Sequence, residues 1–432
     1  MSGELITRDT ALMARSYKRP YPLAVKSVKG CVVEDLNGNT YIDFTSGYGV
    51  LPLGGSHPKV IEAIKKQAEA LASYTMKAAY SELAVEVVEK LSKIAPIRGG
   101  VRALFVSSGS EAVEAALRAL RWHTNKPIII GFLGAFHGST QGALSISTDS
   151  PTRRRAAPSP NVVHAPYPYC YRCPMGLESE RCGLRCVDYL EEWVLGKITS
   201  PEEVASTIFE PIEIEAGVVI PPKGYYEKML RGLRRRGVLT AADESYTSPG
   251  RTGRWLALEH WDVEVDALCL GPPLSSGLPL GVLLAREELL DLEPGQYEST
   301  SGGCQLSLAA ALATLEAIEE EGLVERAERL GRVAVKRLHE LAEELEVTGE
   351  VRGKGLLVGI EFVEDKESRA PAPKLAQTVV EECFRVGLIT RRRGQNIILT
   401  PPLNIREELL EKGLEILEAK LREASTSLSR AS

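Results

Sequence analysis

Long apolar runs are missing from this 432-residue chain, and none approaches the ~18 residues that a membrane-crossing helix needs. The stretch after Met1 has no apolar core of a secretion signal either, which gives a cytoplasmic expectation with no membrane partner. A strong excess of one charge is missing too. Net charge is −6, so nothing points to a polyanion as partner. The triplets Arg153-Arg154-Arg155, Arg234-Arg235-Arg236 and Arg391-Arg392-Arg393 lack interleaved aromatics. They read as solvated faces or phosphate neighbours, not as a nucleic-acid site. Asn and Gln are scarce beside Arg, Glu, Leu and Val, a depletion of thermolabile amides that leans toward a thermophilic source.

Cysteine is sparse and uneven. Cys31, Cys269, Cys304 and Cys383 stand apart and read as small buried hydrophobes. Cys170, Cys173, Cys182 and Cys186 instead crowd one Pro- and Tyr-rich insertion. Four thiolates there suit a structural zinc ion, although the middle spacer is short for a ribbon. Disulfides and free thiols stay open beside it, and no catalytic role follows from any of the three.

What is present is a clear alternation. Two short strands near Cys31–Glu34 and Thr40–Phe44 flank an Asn37-Gly38 hairpin turn. Helices follow from Pro58 to about Ala72 and from Ser81 onward. Beyond about residue 101, continuous apolar strands alternate with amphipathic helices. Strands are expected at Ala103–Val106, Ile128–Gly131, Ala143–Ser147, Thr207–Phe209, Val238–Ala242, Ala267–Leu270 and Val282–Ala285. Such runs indicate an α/β fold with a mostly parallel sheet sandwiched by helices. After Gln305 long helices and a few strands read as a smaller α+β domain. The division expected is 1–60 joining the small domain, 61–300 as the large domain and 301–432 as the small one. The Ser-rich tail from Ala424 is expected to fray.

Three short segments carry chemistry. The strand–turn–helix Phe105 to Ala112 aims free amides and a helix dipole from Gly109 and Ser110 at one spot, which favours a phosphate; the same turn also merely caps helices in many proteins. Phe136-His137-Gly138 follows the next strand, where an aromatic can stack on a flat heterocycle or simply pack a loop. Asp243-Glu244 ends an apolar strand, on the side where α/β sheets bind ligands. A buried Asp there can pair with a protonated ring nitrogen, or the two acids can cap the next loop.

Their order and spacing, continued by Glu210-Pro211-Ile212, Gly250-Arg251-Thr252-Gly253 and Gly277-Leu278-Pro279-Leu280-Gly281, closely resembles class III (ω-type) aminotransferases of fold type I. Asp43, Gly47, His57-Pro58, Gln67, Arg352-Gly353 and Pro401-Pro402-Leu403 extend the resemblance over roughly 15–425. It implies a pyridoxal 5'-phosphate (PLP) enzyme. Gly109 and Ser110 would bind the phosphate, Phe136 would stack on the ring beside His137, and Asp243 would hold the ring nitrogen. Thr300 would complete the phosphate site of a neighbouring subunit, so the implied assembly is a dimer acting on a small amino-group substrate.

The departures fall around the ring. The family's Schiff-base lysine is matched by Pro272, within Leu270-Gly271-Pro272-Pro273-Leu274-Ser275-Ser276-Gly277. Ser245 replaces a hydrophobic ring support, Tyr246 replaces a Gln that reaches the ring's phenolic oxygen, and Ile398 replaces an Arg that many members use for the substrate carboxylate. The usual Gly-Gly-Asn-Pro after Thr300 is Gly302-Gly303-Cys304-Gln305. Proline neither forms a Schiff base nor carries a proton, so any PLP is expected to be held non-covalently. Three readings follow. The chain is a non-catalytic member, alone or paired with a lysine-bearing paralogue; it keeps some chemistry through another base; or it is a structural or regulatory homologue.

Overall fold

The computed structural model describes residues 2–17, 19–149, 155, 159 and 161–429; Arg153 and Arg154 of the first arginine triplet lie outside them. Helix α1 (Ser2–Leu12) precedes three antiparallel strands, β1 (Val25–Lys29), β2 (Val32–Asp35) and β3 (Thr40–Asp43). The turn at Asn37 and Gly38 is closed by Asp35, whose carboxylate accepts from the amides of Asn37 and Asn39 at 2.8 and 2.9 Å. Helix α2 (Pro58–Ala70) starts on a proline, whose missing N–H costs nothing in a first turn. Helix α3 (Glu82–Ile94) is capped by Ser81, which accepts from the Ala84 amide at 3.2 Å.

The central region runs β4 (Val101–Val106), α4 (Gly109–Thr124), β5 (Ile128–Phe132), α5 (Gln141–Ile146), β6 (Val162–Ala165), α6 (Arg185–Tyr189), β7 (Val204–Phe209), α7 (Tyr225–Arg235), β8 (Leu239–Asp243), β9 (Ala267–Leu270) and β10 (Gly281–Arg286). These strands form one seven-stranded sheet in the order β4-β10-β9-β8-β7-β5-β6, with β10 antiparallel to both its neighbours. From β9 to β6 every pairing is parallel. Successive side chains in a strand face opposite ways. Accordingly Ile129, Ile208, Ala241, Cys269 and Leu283 pack beneath α4, while Ile130, Phe209, Ala242, Leu268 and Leu284 join the core on the other face. Both faces are covered, which is why these strands read as unbroken apolar runs.

The segment Ala143–Ser147 is a correction: it forms helix α5, and the edge strand is β6 instead. Glu114 on α4 accepts from the amides of Gly142 and Ala143 at 2.6 and 3.2 Å. A carboxylate at that first turn stabilises a helix start, so the tertiary partner outweighs the strand-like composition.

The C-terminal region contains α8 (Gln305–Glu320), α9 (Leu323–Glu344), β11 (Thr348–Lys354), β12 (Leu357–Phe362), α10 (Pro373–Arg385), β13 (Leu388–Ile389), β14 (Arg391–Arg393), β15 (Asn396–Leu399) and α11 (Glu407–Ser429). One antiparallel sheet has the order β11-β12-β15-β14. Strand β13 adds in parallel to β3, pairing Ile389 with Asp43. The N-terminal meander therefore shares a core with the C-terminal region, through Ile42, Phe44, Leu388, Leu399 and Leu414. Helix α11 extends past Ala424 to Ser429. No helix among the described residues is long and apolar enough to cross a membrane.

Candidate active site

The C-terminal ends of β8 and β9 meet the start of α4 and the loop after β5. Asp243 ends β8 and is buried. Its Oδ2 lies 2.8 Å from His137 Nδ1, and its Oδ1 accepts from the Ser245 amide at 3.0 Å. His137 is oriented by its own amide, which donates to Ser147 Oγ at 2.9 Å. Its Nε2 is buried without a partner. Next to it the Phe136 amide donates to Glu210 Oε1 at 2.8 Å. Burial pushes the Glu210 carboxyl well above its usual range, and the charge of Asp243 adds to the shift.

The start of α4 is tied by a reciprocal cap: Glu111 N donates to Ser108 Oγ at 3.2 Å, and Ser107 N donates to Glu111 Oε2 at 2.8 Å. First-turn amides have no intrahelical acceptor, so those of Gly109 and Ser110 stay available. Two glycines permit the close approach. Gly138 has φ +132°, and a Cβ there would sit 2.0 Å from Ser110 Oγ; a Cβ on Gly109 would sit 2.9 Å from Ser245 Oγ. The Ser245 hydroxyl is itself buried and unpartnered.

Strand β9 runs beside β8, with Asp243 opposite Cys269. After Gly271 the chain enters a 3-10 turn, Pro272–Ser275. Pro272 thus lies one strand over from Asp243, half-buried, with its carbonyl accepting from Gly277 N at 3.1 Å. Among the described residues no lysine makes a hydrogen bond or ion pair to Asp243, His137, Ser245 or Tyr246. Thr300 is exposed in the single chain and joins none of these groups.

Tyr246 leads to residues that sequence reasoning missed. Its hydroxyl accepts from Arg391 Nη2 at 3.1 Å, and Arg391 Nη1 donates to Glu215 Oε1 at 2.7 Å. Arg391 is 2% exposed, so its reading as a solvated face is corrected. Strand alternation held the signal, because it turns Arg391 and Arg393 to one side and Arg392 to the other. Tyr48 covers the same guanidinium with its ring centroid at 5.3 Å. It sits in a run of four left-handed residues, Ser46, Gly47, Tyr48 and Gly49, a conformation costing roughly 1–2 kcal/mol at each non-glycine. Asp43 holds that run by accepting from the amides of Thr45 and Gly47 at 2.6 and 3.1 Å.

The cysteine segment lies apart from this site. All four of its thiols are free, and no group of three or more His, Cys, Asp or Glu among the described residues is placed to hold a metal ion. The zinc and disulfide expectations for Cys170, Cys173, Cys182 and Cys186 thus gain no support among the described residues. The loop spends its contacts elsewhere. Tyr169 and Arg172 both bond to buried Glu361 on β12, while the thiols of Cys170 and Cys182 donate to the carbonyls of Pro168 and Ser179 at 3.6 Å. Burial raises the Cys170 and Cys186 thiols to about 11 and about 12.

The family model for aminotransferase class-III matches residues 12–421. An alanine/serine racemase of Pyrococcus horikoshii is 36% identical, across 98% of this chain and 91% of its own. A probable 4-aminobutyrate aminotransferase of Bacillus subtilis is also 36% identical, across 93% of each. Among solved structures, an omega transaminase from Pseudomonas jessenii in complex with PMP has a TM-score of 0.92 at 28% identity, covering 99% of both chains.

Proposed function

The chain belongs to the class-III aminotransferase family, and from that premise we propose that it holds PLP or its amine form non-covalently and has lost the family's lysine-dependent transamination. The observation that carries this is Pro272, just past the end of β9 and one strand over from Asp243, with no lysine bonded into the site among the described residues. The residues present fit the cofactor. Buried His137 Nε2 and Ser245 Oγ lack protein partners, and the amides of Gly109 and Ser110 are open to a phosphate.

Bound there, the cofactor would supply its ring as an electron sink. Gly109 and Ser110 would hold its phosphate and Phe136 its ring face. Asp243, steadied by His137, would keep a proton on the ring nitrogen, and Tyr246 would stand near the ring's oxygen side. Pro272 can neither bond to the cofactor nor move a proton. The relatives' names, two of which concern amino acids, support a small amino acid as ligand. We take the assembly to be a homodimer, or a heterodimer with a lysine-bearing paralogue, in which the partner subunit's Thr300 completes each phosphate site.

One observation favours a second reading, in which some chemistry survives. In it the Tyr246 phenol, bonded to Arg391, carries the proton in place of lysine. Exchange of an amino acid's α-proton in D₂O, lost in Tyr246→Phe, would support it.

The deciding experiment is cofactor titration followed by borohydride and denaturation. The cofactor is expected to bind and then leave the unfolded chain entirely. Cofactor retained on a peptide, or no binding at all, would overturn the proposal.

A further inference from the structure

Ser245 places a hydroxyl where the family keeps a hydrophobic ring support. Its Oγ is buried and has no protein partner, and a buried polar group left unpaired lowers stability. The residue is fixed through its backbone, whose amide donates to Asp243 Oδ1 at 3.0 Å. A glycine lies on either side of it. A Cβ on Gly109, the first residue of α4, would sit 2.9 Å from Ser245 Oγ, and a Cβ on Gly271, just past β9, would sit 2.9 Å from Ser245 Cβ. Neither glycine has a side chain that could pair with the hydroxyl.

The hydroxyl therefore borders the phosphate turn. Helix α4 is 16 residues long, its first-turn amides have no intrahelical acceptor, and such a start favours an anion. A second unpartnered atom stands in the same place. His137 is 3% exposed and its Nε2 has no protein partner, while Gly138 beside it approaches Ser110 so closely that a Cβ would lie 2.0 Å from Ser110 Oγ. On the opposite side Pro272 follows Gly271. It offers no amine to an aldehyde, so it cannot favour a ligand that carries one.

We propose that Ser245 donates to the ligand's phosphate beside the amides of Gly109 and Ser110, and that the site selects its ligand by the phosphate and not by the 4'-substituent. The ligand class is the 5'-phosphate of a B6 vitamer, whether aldehyde, amine or alcohol. A hydroxyl suits this role because a hydrogen bond to a charged oxygen is stronger than one between neutral groups. It replaces part of the hold that a covalent bond to lysine would give. The inference rests on the reading of this site as one for PLP or its amine form and extends it to the alcohol.

The full chain is titrated with PLP, pyridoxamine 5'-phosphate, pyridoxine 5'-phosphate, pyridoxine and inorganic phosphate. Pyridoxine 5'-phosphate has no carbonyl, so its binding owes nothing to lysines elsewhere on the chain. The three vitamer phosphates are expected to bind with similar affinity, and pyridoxine more weakly. Ser245→Ala should weaken all three, and inorganic phosphate with them, roughly 10- to 100-fold, and leave pyridoxine unchanged. In urea the unliganded variant should be no less stable than the wild type, because the hydroxyl it loses has no protein partner. Preference for PLP over pyridoxine 5'-phosphate by about tenfold or more, unchanged phosphate binding in Ser245→Ala, an equal loss for pyridoxine, or a destabilised unliganded variant overturns the proposal. Vitamer phosphates that bind without regard to Ser245 sink this inference alone. Inorganic phosphate bound through Ser245, with no vitamer phosphate bound, sinks the cofactor reading and the vitamer class with it.

Discussion

His137 Nδ1 and Asp243 Oδ2 sit 2.8 Å apart, and both side chains are closed to solvent. The contact joins the loop after β5 to the end of β8, so it is made only once the parallel sheet has formed. Its chemistry is one-sided. Asp243 receives bonds from His137 and the Ser245 amide, while the far nitrogen of His137 has no protein partner. An acid held this way suits a cationic ring nitrogen better than a neutral one.

Asp243→Asn is therefore expected to keep the shape and lose the charge. PLP affinity measured by titration should fall by about 1–3 kcal/mol, the range for a hydrogen bond to a charged group. Equal affinity in the variant would mean that Asp243 does not face the ring.

Pro272→Lys alone is not expected to restore robust transamination. Ser245 and Tyr246 would still surround the ring, and a misplacement of about 1 Å can cost roughly 10²-fold. The assay is amino transfer from small amino acids to a 2-oxo acid under saturating PLP. Turnover at the level of ordinary family members would show that those neighbours are tolerated.

Gly138→Ala tests the fit between the β5 loop and α4. Its φ of +132° is unsuited to a side chain, and the new methyl would lie 2.0 Å from Ser110 Oγ. We expect a loss of roughly 1–3 kcal/mol in unfolding free energy, together with weaker phosphate binding at Ser110. Denaturant unfolding and inorganic phosphate titration measure the two effects separately, and an unperturbed variant would mean the loop yields easily.

The fold could be read from the sequence because its strands are covered on both faces and so appear as plain apolar runs. Asp243 and Phe136 were legible for a related reason: the first ends such a run and the second lies in the loop that follows one. Arg391 was not, because three successive arginines look solvated until a pleat and a partner strand bury the first of them. Nor could the sequence foretell α5, whose start depends on Glu114 from another helix. The anchoring of the cysteine loop was not legible either, because close spacing along the chain says nothing about where Glu361 draws it.

Glu244 gives the stability a pH dependence. Burial raises its carboxyl from 4.5 to about 7, even though Thr247 and the amides of Ala257 and Leu258 stabilise its charge. The folded value lies above the unfolded one, so this contribution is complete below about pH 4.5 and is lost as pH rises through about 7. At about 1.4 kcal/mol per pH unit of separation, the loss is on the order of 3 kcal/mol. Glu244→Gln should flatten that slope in urea unfolding measured from pH 5 to 9. A wild-type slope that survives the substitution would assign it to another buried acid, such as Glu210.

Thr300 bears on assembly. It is exposed in the single chain and takes no part in the site around Asp243, as suits a group that acts on a neighbouring subunit. This chain keeps that residue while Pro272 stands where its own lysine is expected. If the chain is a partner subunit, as proposed, the group that acts in trans is the one that role requires it to keep. The test is co-expression with a lysine-bearing paralogue from the same organism, followed by isolation of the mixed dimer. In that dimer Thr300→Ala should weaken PLP binding at the paralogue's site by about 1–3 kcal/mol, without changing the paralogue's own sequence. A homodimer would give the same loss at both of its sites. If the chain stays monomeric, or if PLP affinity is indifferent to Thr300→Ala in either assembly, Thr300 completes no phosphate site and the partner role fails.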